Sequence, residues 1–264
     1  MASGQQVNIS KSSVFFSKNM SQQDKKEVYD VLKCPEANDN STYLGLPNIM
    51  GRNKTTIMGY LKDRLQNRVQ GWDKKTLSKG GKEILLKTIA QAIPTYAMGV
   101  FLLPLELCRD LERIMCRYWW KTGRDKDRGI HWLSWERLSK RKSEGGMGFR
   151  NVHDFNIAMI GKQGWRLMLY QDSLVARIYK ARYYPRGYFL TAKLGSNPSY
   201  IWRSVIAAQE LLRKGSIRTV GNGESVSIIG DPWLPQNDDP FVHTVNEGLQ
   251  GKFVSSLFVT DENE

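Results

Sequence analysis

The chain has 264 residues, of which 41% are hydrophobic and 11% aromatic, so it can bury a sizeable core and is not a disordered chain. Its 39 Lys and Arg residues against 26 Asp and Glu give a net charge of +13. This charge favours a polyanionic partner, and nucleic acid is a simpler interpretation than an acidic membrane surface. No apolar run approaches the roughly 18 residues of a membrane helix, and no targeting signal is seen. Three cysteines are too few for a disulfide framework, so the sequence predicts an intracellular, reducing compartment and excludes the secreted, membrane and fibrous classes.

The positive charge is concentrated in the middle of the chain. Residues 1–51 carry 5 basic and 5 acidic side chains and are neutral. Residues 52–218 carry 33 Lys and Arg against 13 Asp and Glu, a net charge of +20, whereas residues 219–264 have a net charge of −7. A surface that binds nucleic acid is therefore expected between residues 52 and 218.

The neutral first part of the chain predicts short strands and one helix. Val7–Ser10 alternates between apolar and polar residues, and Ser13–Phe16 is rich in residues that favour strands. Residues 42–46 predict another short strand before Pro47. The polar stretch Ser21–Lys33 between them predicts a helix.

The next part of the chain has the apolar spacing of helices. Apolar residues recur every four positions from Ile57 to Val69, which predicts one helix that begins near Asn53 and ends at Gly71. The opposite face of this helix carries three candidate nucleic-acid-binding residues, Lys62, Arg64 and Arg68. A second helix is predicted from near Gly81 to Pro94.

A third helix, over residues 105–120, carries a row of arginines. Arg109, Arg113 and Arg117 are spaced by four, so they lie on one face. Such a row is either a solvated face or a contact with nucleic acid. The large surplus of basic residues between 52 and 218 favours nucleic acid.

Residues 122–150 lack a regular period. They contain a basic run, Lys140, Arg141 and Lys142, followed by a flexible glycine-rich stretch at 145–148. Helices are predicted again over 154–169, 173–183 and 197–215. The Asn-Gly pair at 222–223 then predicts a β-hairpin, and the acidic end of the chain is weakly patterned.

The segment from Lys79 to Lys82 invites comparison with a phosphate-binding loop. It lacks the earlier glycine of that loop, and Glu83 stands where Ser or Thr should follow the lysine. Two interpretations remain: a turn between helices with solvated lysines, and a weaker phosphate contact through the backbone N–H groups. Lys79 and Lys82 are therefore also candidate nucleic-acid-binding residues.

Residues for catalysis are scarce. The chain has 3 histidines and no Cys-x-x-Cys or His-x-x-x-His pair, which makes a structural zinc site improbable. The two cysteines of the third helix, Cys108 and Cys116, are interpreted as small buried hydrophobic residues. No metal site is expected.

A series of sequence blocks runs along the chain in a fixed order. The blocks are Ser3–Asn8, Lys11–Ser12, Phe15–Ser17, Tyr43–Pro47, Trp72, Leu77–Lys82, Ala92–Met98, Tyr118–Trp120, Gly145–Arg150, Pro198–Ser204 and Asp231–Pro235. Taken together in this order, they resemble the reverse transcriptase of plant non-LTR (LINE-type) retrotransposons. The resemblance covers nearly the whole chain except its last two dozen residues.

The resemblance implies positions within such an enzyme. The first block resembles polymerase motif D, with Lys11 at its basic position. Tyr43, Leu44 and Gly45 resemble the primer grip, which sets the 3′ end of the primer. The helices that follow correspond to the thumb and connection, which hold the template–primer duplex by its backbone.

The chain departs from the family where catalysis would occur. The catalytic aspartates of the family lie in palm motifs upstream of this match, and two-metal phosphoryl transfer needs those carboxylates. The pair Asp238-Asp239 lies in an acidic, loop-like segment and is no substitute. We therefore expect no catalytic residue and no cofactor in this chain, with Mg²⁺ bound only if the missing palm is supplied, and we expect the chain to be inactive by itself.

The sequence predicts a mainly α fold with a small β portion (α+β). The expected parts are a palm remnant (1–51), a basic helical thumb (52–122), connection helices (123–215), a β-hairpin (216–235) and an acidic, disordered tail (236–264). The favoured function is that of a truncated reverse transcriptase (RNA-directed DNA polymerase) fragment that binds RNA–DNA hybrid or duplex nucleic acid without sequence preference. Two alternatives stay open: a part of an active polymerase, with the remaining reverse transcriptase segments as partners, and a decayed helical fragment with a structural or protein-interaction role. No membrane partner is expected, and an element-derived protein would be nuclear.

Overall fold

The computed structural model is mainly helical, with 56% helix and 2% strand, which confirms the mainly α character predicted from the sequence. The chain forms two compact units, residues 1–57 and 58–264. The residues that the structure describes are 8–9, 12–16, 19–37, 42–43, 46–47, 54–73, 77–121, 130–236, 239–243 and 246–258.

The first unit contains one long helix and very short strands. Helix α1 spans Gln22–Leu32, as predicted, and the hydroxyl of Ser21 caps it by accepting the N–H of Asp24. Strand β1 (Thr42–Tyr43) pairs antiparallel with β2 (Leu46–Pro47). The unit ends with the four-residue helix α2, Lys54–Ile57.

The second unit is a helical assembly. Its helices are α3 (Tyr60–Asp73), α4 (Lys79–Thr88), α5 (Thr95–Met98), α6 (Leu105–Trp120), α7 (Trp135–Ser139), α8 (Val152–Leu169), α9 (Leu174–Tyr183), α10 (Tyr200–Ala207) and α11 (Gln209–Gly215). Short 3₁₀ helices span Ala90–Ala92, Lys142–Glu144, Phe189–Thr191, Glu247–Leu249 and Val254–Leu257.

Helices α3 and α6 pack against each other through apolar faces of helical spacing. The buried residues of α3 include Leu61, Leu65 and Val69, and those of α6 include Leu111 and Met115. Burial of these side chains leaves the basic residues of both helices on their outer faces. The single helix predicted from residue 53 to 71 is instead two helices, because residues 58–59 form a turn between α2 and α3.

A buried amide joins α8 to the end of α5 and to the segment between α5 and α6. The side chain of Asn156 is completely buried. Its Nδ2 donates to the carbonyl oxygens of Met98 (3.1 Å) and Phe101 (2.9 Å), and its Oδ1 accepts the N–H of Leu103 at 2.7 Å. Backbone groups that a helix would have paired are thereby satisfied inside the core. This amide positions the start of α6.

A second core forms around Trp202 of α10. The indole is completely buried and stacks on Tyr183 of α9, with ring centroids 4.6 Å apart and an interplanar angle of 4°. Tyr184 stacks on the same indole at 5.7 Å, and Phe189 meets it edge-on at 6.1 Å. These aromatic contacts join α9, α10 and the 3₁₀ turn at residues 189–191.

The segment after α11, for which a hairpin over residues 216–235 is predicted, has hydrogen bonds both within that stretch and beyond it. The N–H of Arg218 donates to the carbonyl of Pro232, and the N–H of Ile228 donates to the carbonyl of Lys252. The guanidinium of Arg218 also binds both carboxylate oxygens of Asp231 at 3.0 Å. The hairpin itself stays a prediction.

Among the described residues, none of the helices combines the length and the apolar character that crossing a membrane requires.

Candidate nucleic-acid interface

The arginine row of α6 forms an exposed ridge. Arg109, Arg113 and Arg117 are all exposed along the outer face of the helix, whose inner face is buried against α3 and α8. Within the described residues, neither Arg109 nor Arg117 makes a side-chain hydrogen bond or an ion pair. We call these three residues the arginine ridge. At about 1.5 Å of rise per residue, the ridge is about 12 Å long.

A hollow of about 330 Å³ lies on one side of the ridge, between α3 and α6. Its walls carry basic and amide side chains that can bind phosphate oxygens and sugar hydroxyls. The lining residues are Lys62, Gln66, Val69, Gln70, Asp110, Arg113, Ile114, Arg117, Tyr118 and Lys121.

One carboxylate partly neutralises this hollow. Asp110 accepts a hydrogen bond from Lys62 Nζ at 2.8 Å on one oxygen and from Arg113 at 2.9 Å on the other. The hydrogen bond from Lys62 is the main cause that lowers the pKa of Asp110 below its usual value, with a smaller contribution from Arg113. The carboxylate is therefore charged at neutral pH and holds two of the candidate cations in place.

A second hollow, of about 340 Å³, lies on the other side of the ridge. It is lined by all three ridge arginines together with Glu112, Cys116, His131 and Trp135. Cys116 Sγ lies 3.8 Å from His131 Nδ1, but burial raises the pKa of the thiol, so the sulfur is not a reactive thiolate. Burial also raises the pKa of Glu112, whose carboxylate accepts the N–H of Val152 at 2.8 Å.

Lys79 and Lys82 of α4 are directed at the carboxyl end of α6. Lys79 Nζ donates to the carbonyl of Trp119 at 2.8 Å and lies over that indole, 4.7 Å from the ring centroid. Lys82 Nζ donates to the carbonyl of Lys121 at 2.6 Å. Burial lowers the pKa of Lys79. The two ammonium groups thus satisfy the last carbonyls of α6 and stabilise the negative end of its dipole.

The glycines of the Lys79–Lys82 segment lie inside α4 and do not form a phosphate-binding loop. The hydroxyl of Ser78 caps the helix and accepts the N–H of Gly81 at 3.2 Å. The segment is therefore the first turn of α4 and not a turn between helices with solvated lysines, because both of its lysines are bound to carbonyls at the end of α6.

The basic run at residues 140–142 lies on a tight turn after α7. The N–H groups of Met147 and Gly148 donate to the carbonyls of Leu138 and Lys140, at 2.9 and 2.8 Å. A Cβ at Gly146 would lie 2.1 Å from the carbonyl oxygen of Lys140, so only glycine fits there. The stretch expected to be flexible is therefore a close-packed turn.

The three basic side chains of this turn are exposed, and one of them has an acidic partner. Lys142 Nζ lies 3.1 Å from Glu83, which also pairs with Lys87 at 2.8 Å. Hydrogen bonds from Lys87 and then Lys142 lower the pKa of Glu83. Within the described residues, Lys140 and Arg141 make no side-chain ion pair.

The predicted polymerase motifs lie mostly outside the described residues. This holds for Lys11 of the motif D-like block and for Leu44 and Gly45 of the primer-grip-like block. Tyr43 lies in β1, and only its backbone is described. Arg64 and Arg68 are exposed on α3 and are not among the lining residues of the first hollow.

Sequence reasoning missed several residues of the two hollows. Lys121 continues the spacing of four beyond Arg117, and Gln66 and Gln70 continue it from Lys62, so an extended periodicity search would have found them. No local pattern distinguishes His131, which reaches its hollow only through the tertiary fold.

No group of three or more His, Cys, Asp and Glu that could hold a metal ion occurs in the part of the chain that the structure describes.

Two plant proteins are similar to this chain, although no family model matches it. The "Uncharacterized mitochondrial protein AtMg00310" of Arabidopsis thaliana is 38% identical over 144 residues, which are 54% of this chain and 93% of that protein. The "Putative ribonuclease H protein At1g65750" of Arabidopsis thaliana is 26% identical over 201 residues, which are 72% of this chain but 31% of that protein. Relatives of these kinds are typical of retrotransposon-derived plant sequences. Because it is so similar to nearly the whole of the first relative, the chain belongs to the same family as the uncharacterized mitochondrial protein AtMg00310.

Proposed function

We propose that this chain is a reverse transcriptase fragment of a LINE-type plant retrotransposon that binds RNA–DNA hybrid or duplex nucleic acid through the arginine ridge of α6. Binding is to the sugar–phosphate backbone and is independent of sequence. The fragment does not polymerise DNA by itself. The name of the second relative, a ribonuclease H protein, supports a nucleic-acid ligand, although the chain spans only 31% of that protein's length.

The observation that carries the proposal is the exposure of all three ridge arginines, two of which form no ion pair within the described residues. In the described residues, Arg109 and Arg117 have no ion pair, and the packing of α6 against α3 and α8 leaves their face open. A ridge about 12 Å long matches three or four phosphates of one strand, which are about 3.4 Å apart along a duplex axis. A row of arginines that is only solvated would not need the net charge of +20 that residues 52–218 carry.

The hollows beside the ridge add polar groups for a backbone ligand. The first offers the amides of Gln66 and Gln70 and the ammonium of Lys121, which suit sugar and phosphate oxygens. Neither hollow presents the paired carboxylates that two-metal phosphoryl transfer needs, since Asp110 is bound to Lys62 and Arg113 and Glu112 is half-buried against Val152. The site is therefore suited to hold a duplex and not to extend it.

Binding of a labelled RNA–DNA hybrid over a series of salt concentrations tests the proposal. Because each neutralised phosphate releases condensed counterions, contact of the ridge with about three phosphates predicts a log–log slope of about −3 or steeper. Hybrids of different base composition should bind alike. Absence of binding, or a slope near zero, would leave the chain a structural fragment.

Primer extension distinguishes the proposal from an active polymerase. The same chain is incubated with a primed template, deoxynucleotides and Mg²⁺, and we expect no incorporation. Extension by the isolated chain would show that it carries its own catalytic centre and would contradict the proposed role.

A further inference from the structure

Trp132 is the most exposed tryptophan whose exposure the structure gives. Its side chain is 73% exposed, and the preceding Ile130 is 69% exposed. The nearby Trp119 and Trp135, in contrast, are buried. An exposed indole does not gain the free energy that burial would provide, so packing in the core does not explain the position of Trp132.

The segment that carries Trp132 is attached to α6 and α7 on both sides of the indole. Before it, His131 lines the second hollow beside the ridge and lies 3.8 Å from Cys116 of α6. After it, the carbonyl of Leu133 accepts the indole N–H of Trp120 at 3.1 Å, and the hydroxyl of Ser134 caps α7 by accepting the N–H of Arg137. The chain on both sides of Trp132 is therefore held in place, and the residue before it lines the hollow.

The hollow next to this segment is cationic. It is lined by His131 and all three ridge arginines, and its one acid, Glu112, has a raised pKa and accepts a backbone N–H. A polyanion that also has flat faces, which is a nucleic acid strand with unpaired bases, fits both the charge and the indole.

We propose that Trp132 stacks on an unpaired base, so that the ridge and its second hollow bind the place where a duplex passes into a single strand. The inference rests on the proposed function for the duplex part of the ligand and adds a single-stranded subsite beside it. Base pairs inside a duplex cannot stack on the indole because both their faces are occupied. A long blunt duplex, in which only the two terminal pairs have a free face, should therefore bind mainly through the ridge.

Three labelled probes test the proposal: a short single-stranded RNA, a blunt RNA–DNA hybrid, and the same hybrid with a single-stranded overhang. The full chain is compared with Trp132→Ala, Trp132→Phe and, as a matched aromatic control, Tyr170→Ala, which removes another exposed ring (63%) that lines neither hollow of the ridge. Trp132→Ala should weaken binding of the single strand and of the overhang hybrid by about 5-fold to 150-fold, the range for one stacked base. Trp132→Phe should retain most of the affinity, and Tyr170→Ala and the blunt hybrid should show no change.

The outcomes separate this inference from the proposed function. If the blunt hybrid binds with a steep salt slope but Trp132→Ala affects no probe, the stacking subsite is wrong and duplex binding stands. If the blunt hybrid does not bind while the single strand binds in a Trp132-dependent way, the stacking subsite stands and duplex binding is wrong. Equal losses for all three probes in Trp132→Ala, with circular dichroism and thermal unfolding unchanged, would also contradict selective stacking.

Discussion

The ammonium of Lys62 on α3 lies 2.8 Å from a carboxylate oxygen of Asp110 on α6, so an ion pair joins the two helices at the mouth of the first hollow. The other carboxylate oxygen binds Arg113 of the ridge. One acid thus reduces the charge of the proposed interface while it aligns two of its cations.

Removal of this carboxylate should strengthen binding to nucleic acid. Asp110→Asn leaves Lys62 and Arg113 without a negative partner, so one further cation can neutralise phosphate. We expect a severalfold tighter complex with RNA–DNA hybrid and a salt slope steeper by about 1. Fluorescence anisotropy at several salt concentrations measures both. Glu106→Gln, at an exposed position of α6 that lines neither hollow, is the control for a general change of charge.

The same ion pair gives the stability of the protein a pH dependence. The pKa of Asp110 is lowered in the folded protein, so its contribution to stability is present above the unfolded pKa of about 3.9 and is lost as the pH falls through the folded value. Its two partners are 43% and 69% exposed, so we expect a contribution of only about 1 kcal/mol. Denaturant unfolding of wild type and Asp110→Asn should differ at neutral pH and converge in strong acid. A constant difference down to the lowest pH would contradict the assignment.

Lys82 should matter for stability more than for ligand binding. Its ammonium is bound to the carbonyl oxygen of Lys121 at the end of α6, so Lys82→Met removes a charged hydrogen bond and a favourable charge at the helix terminus. We expect a loss of about 1–2 kcal/mol in the free energy of unfolding. The affinity for RNA–DNA hybrid should fall less in Lys82→Met than in Arg117→Met, the matched control that removes one exposed cation. The reverse order of the two affinities would show that Lys82 reaches the ligand.

Asn156 should be one of the most sensitive positions of the core. Asn156→Leu leaves the carbonyls of Met98 and Phe101 and the N–H of Leu103 buried without partners. We expect a loss of about 3–5 kcal/mol in the free energy of unfolding, because each unsatisfied buried group costs about 1–3 kcal/mol. Ser204→Ala should cost less, because its hydroxyl accepts only one N–H of the same segment, that of Leu102, and donates to the carbonyl of Tyr200. Urea unfolding followed by circular dichroism measures both.

Local patterns predicted the helices well where one apolar face dominates. Helix α6 spans the predicted residues 105–120, and α1 and α9 begin one residue after the expected starts, Ser21 and Ser173. The prediction was less accurate where several polar residues can cap a helix: the helix expected from residue 154 is capped by Asn151, and the helix expected from residue 197 is capped by Ser199. Neighbouring Ser, Asn and Asp residues have similar capping preferences, so tertiary packing decides between them.

The sequence predicts the arginine ridge of the candidate site, but it does not predict which basic residues are bound to other parts of the protein. The spacing of Arg109, Arg113 and Arg117 alone places them on one face of α6. The roles of Lys79 and Lys82 depend on carbonyls about 40 residues further along the chain, which no periodicity indicates. Asp110 likewise lies within the arginine row, but its pairing with Lys62 needs the packing of α3 on α6.

Reversal of the ridge charge is the most direct test of nucleic-acid binding through the arginine ridge. The variant Arg109→Glu, Arg113→Glu, Arg117→Glu is compared with a control of equal charge change, Lys162→Glu, Arg177→Glu, Arg186→Glu, whose residues are exposed and line neither hollow of the ridge. The measurement is the affinity for RNA–DNA hybrid against salt concentration. We expect the ridge variant to bind the hybrid at least about tenfold more weakly, whatever its base sequence, and to show a log–log salt slope that is smaller by about 3. The control should lose much less affinity. Equal affinities of the ridge variant and the wild type would show that the row is only a solvated face.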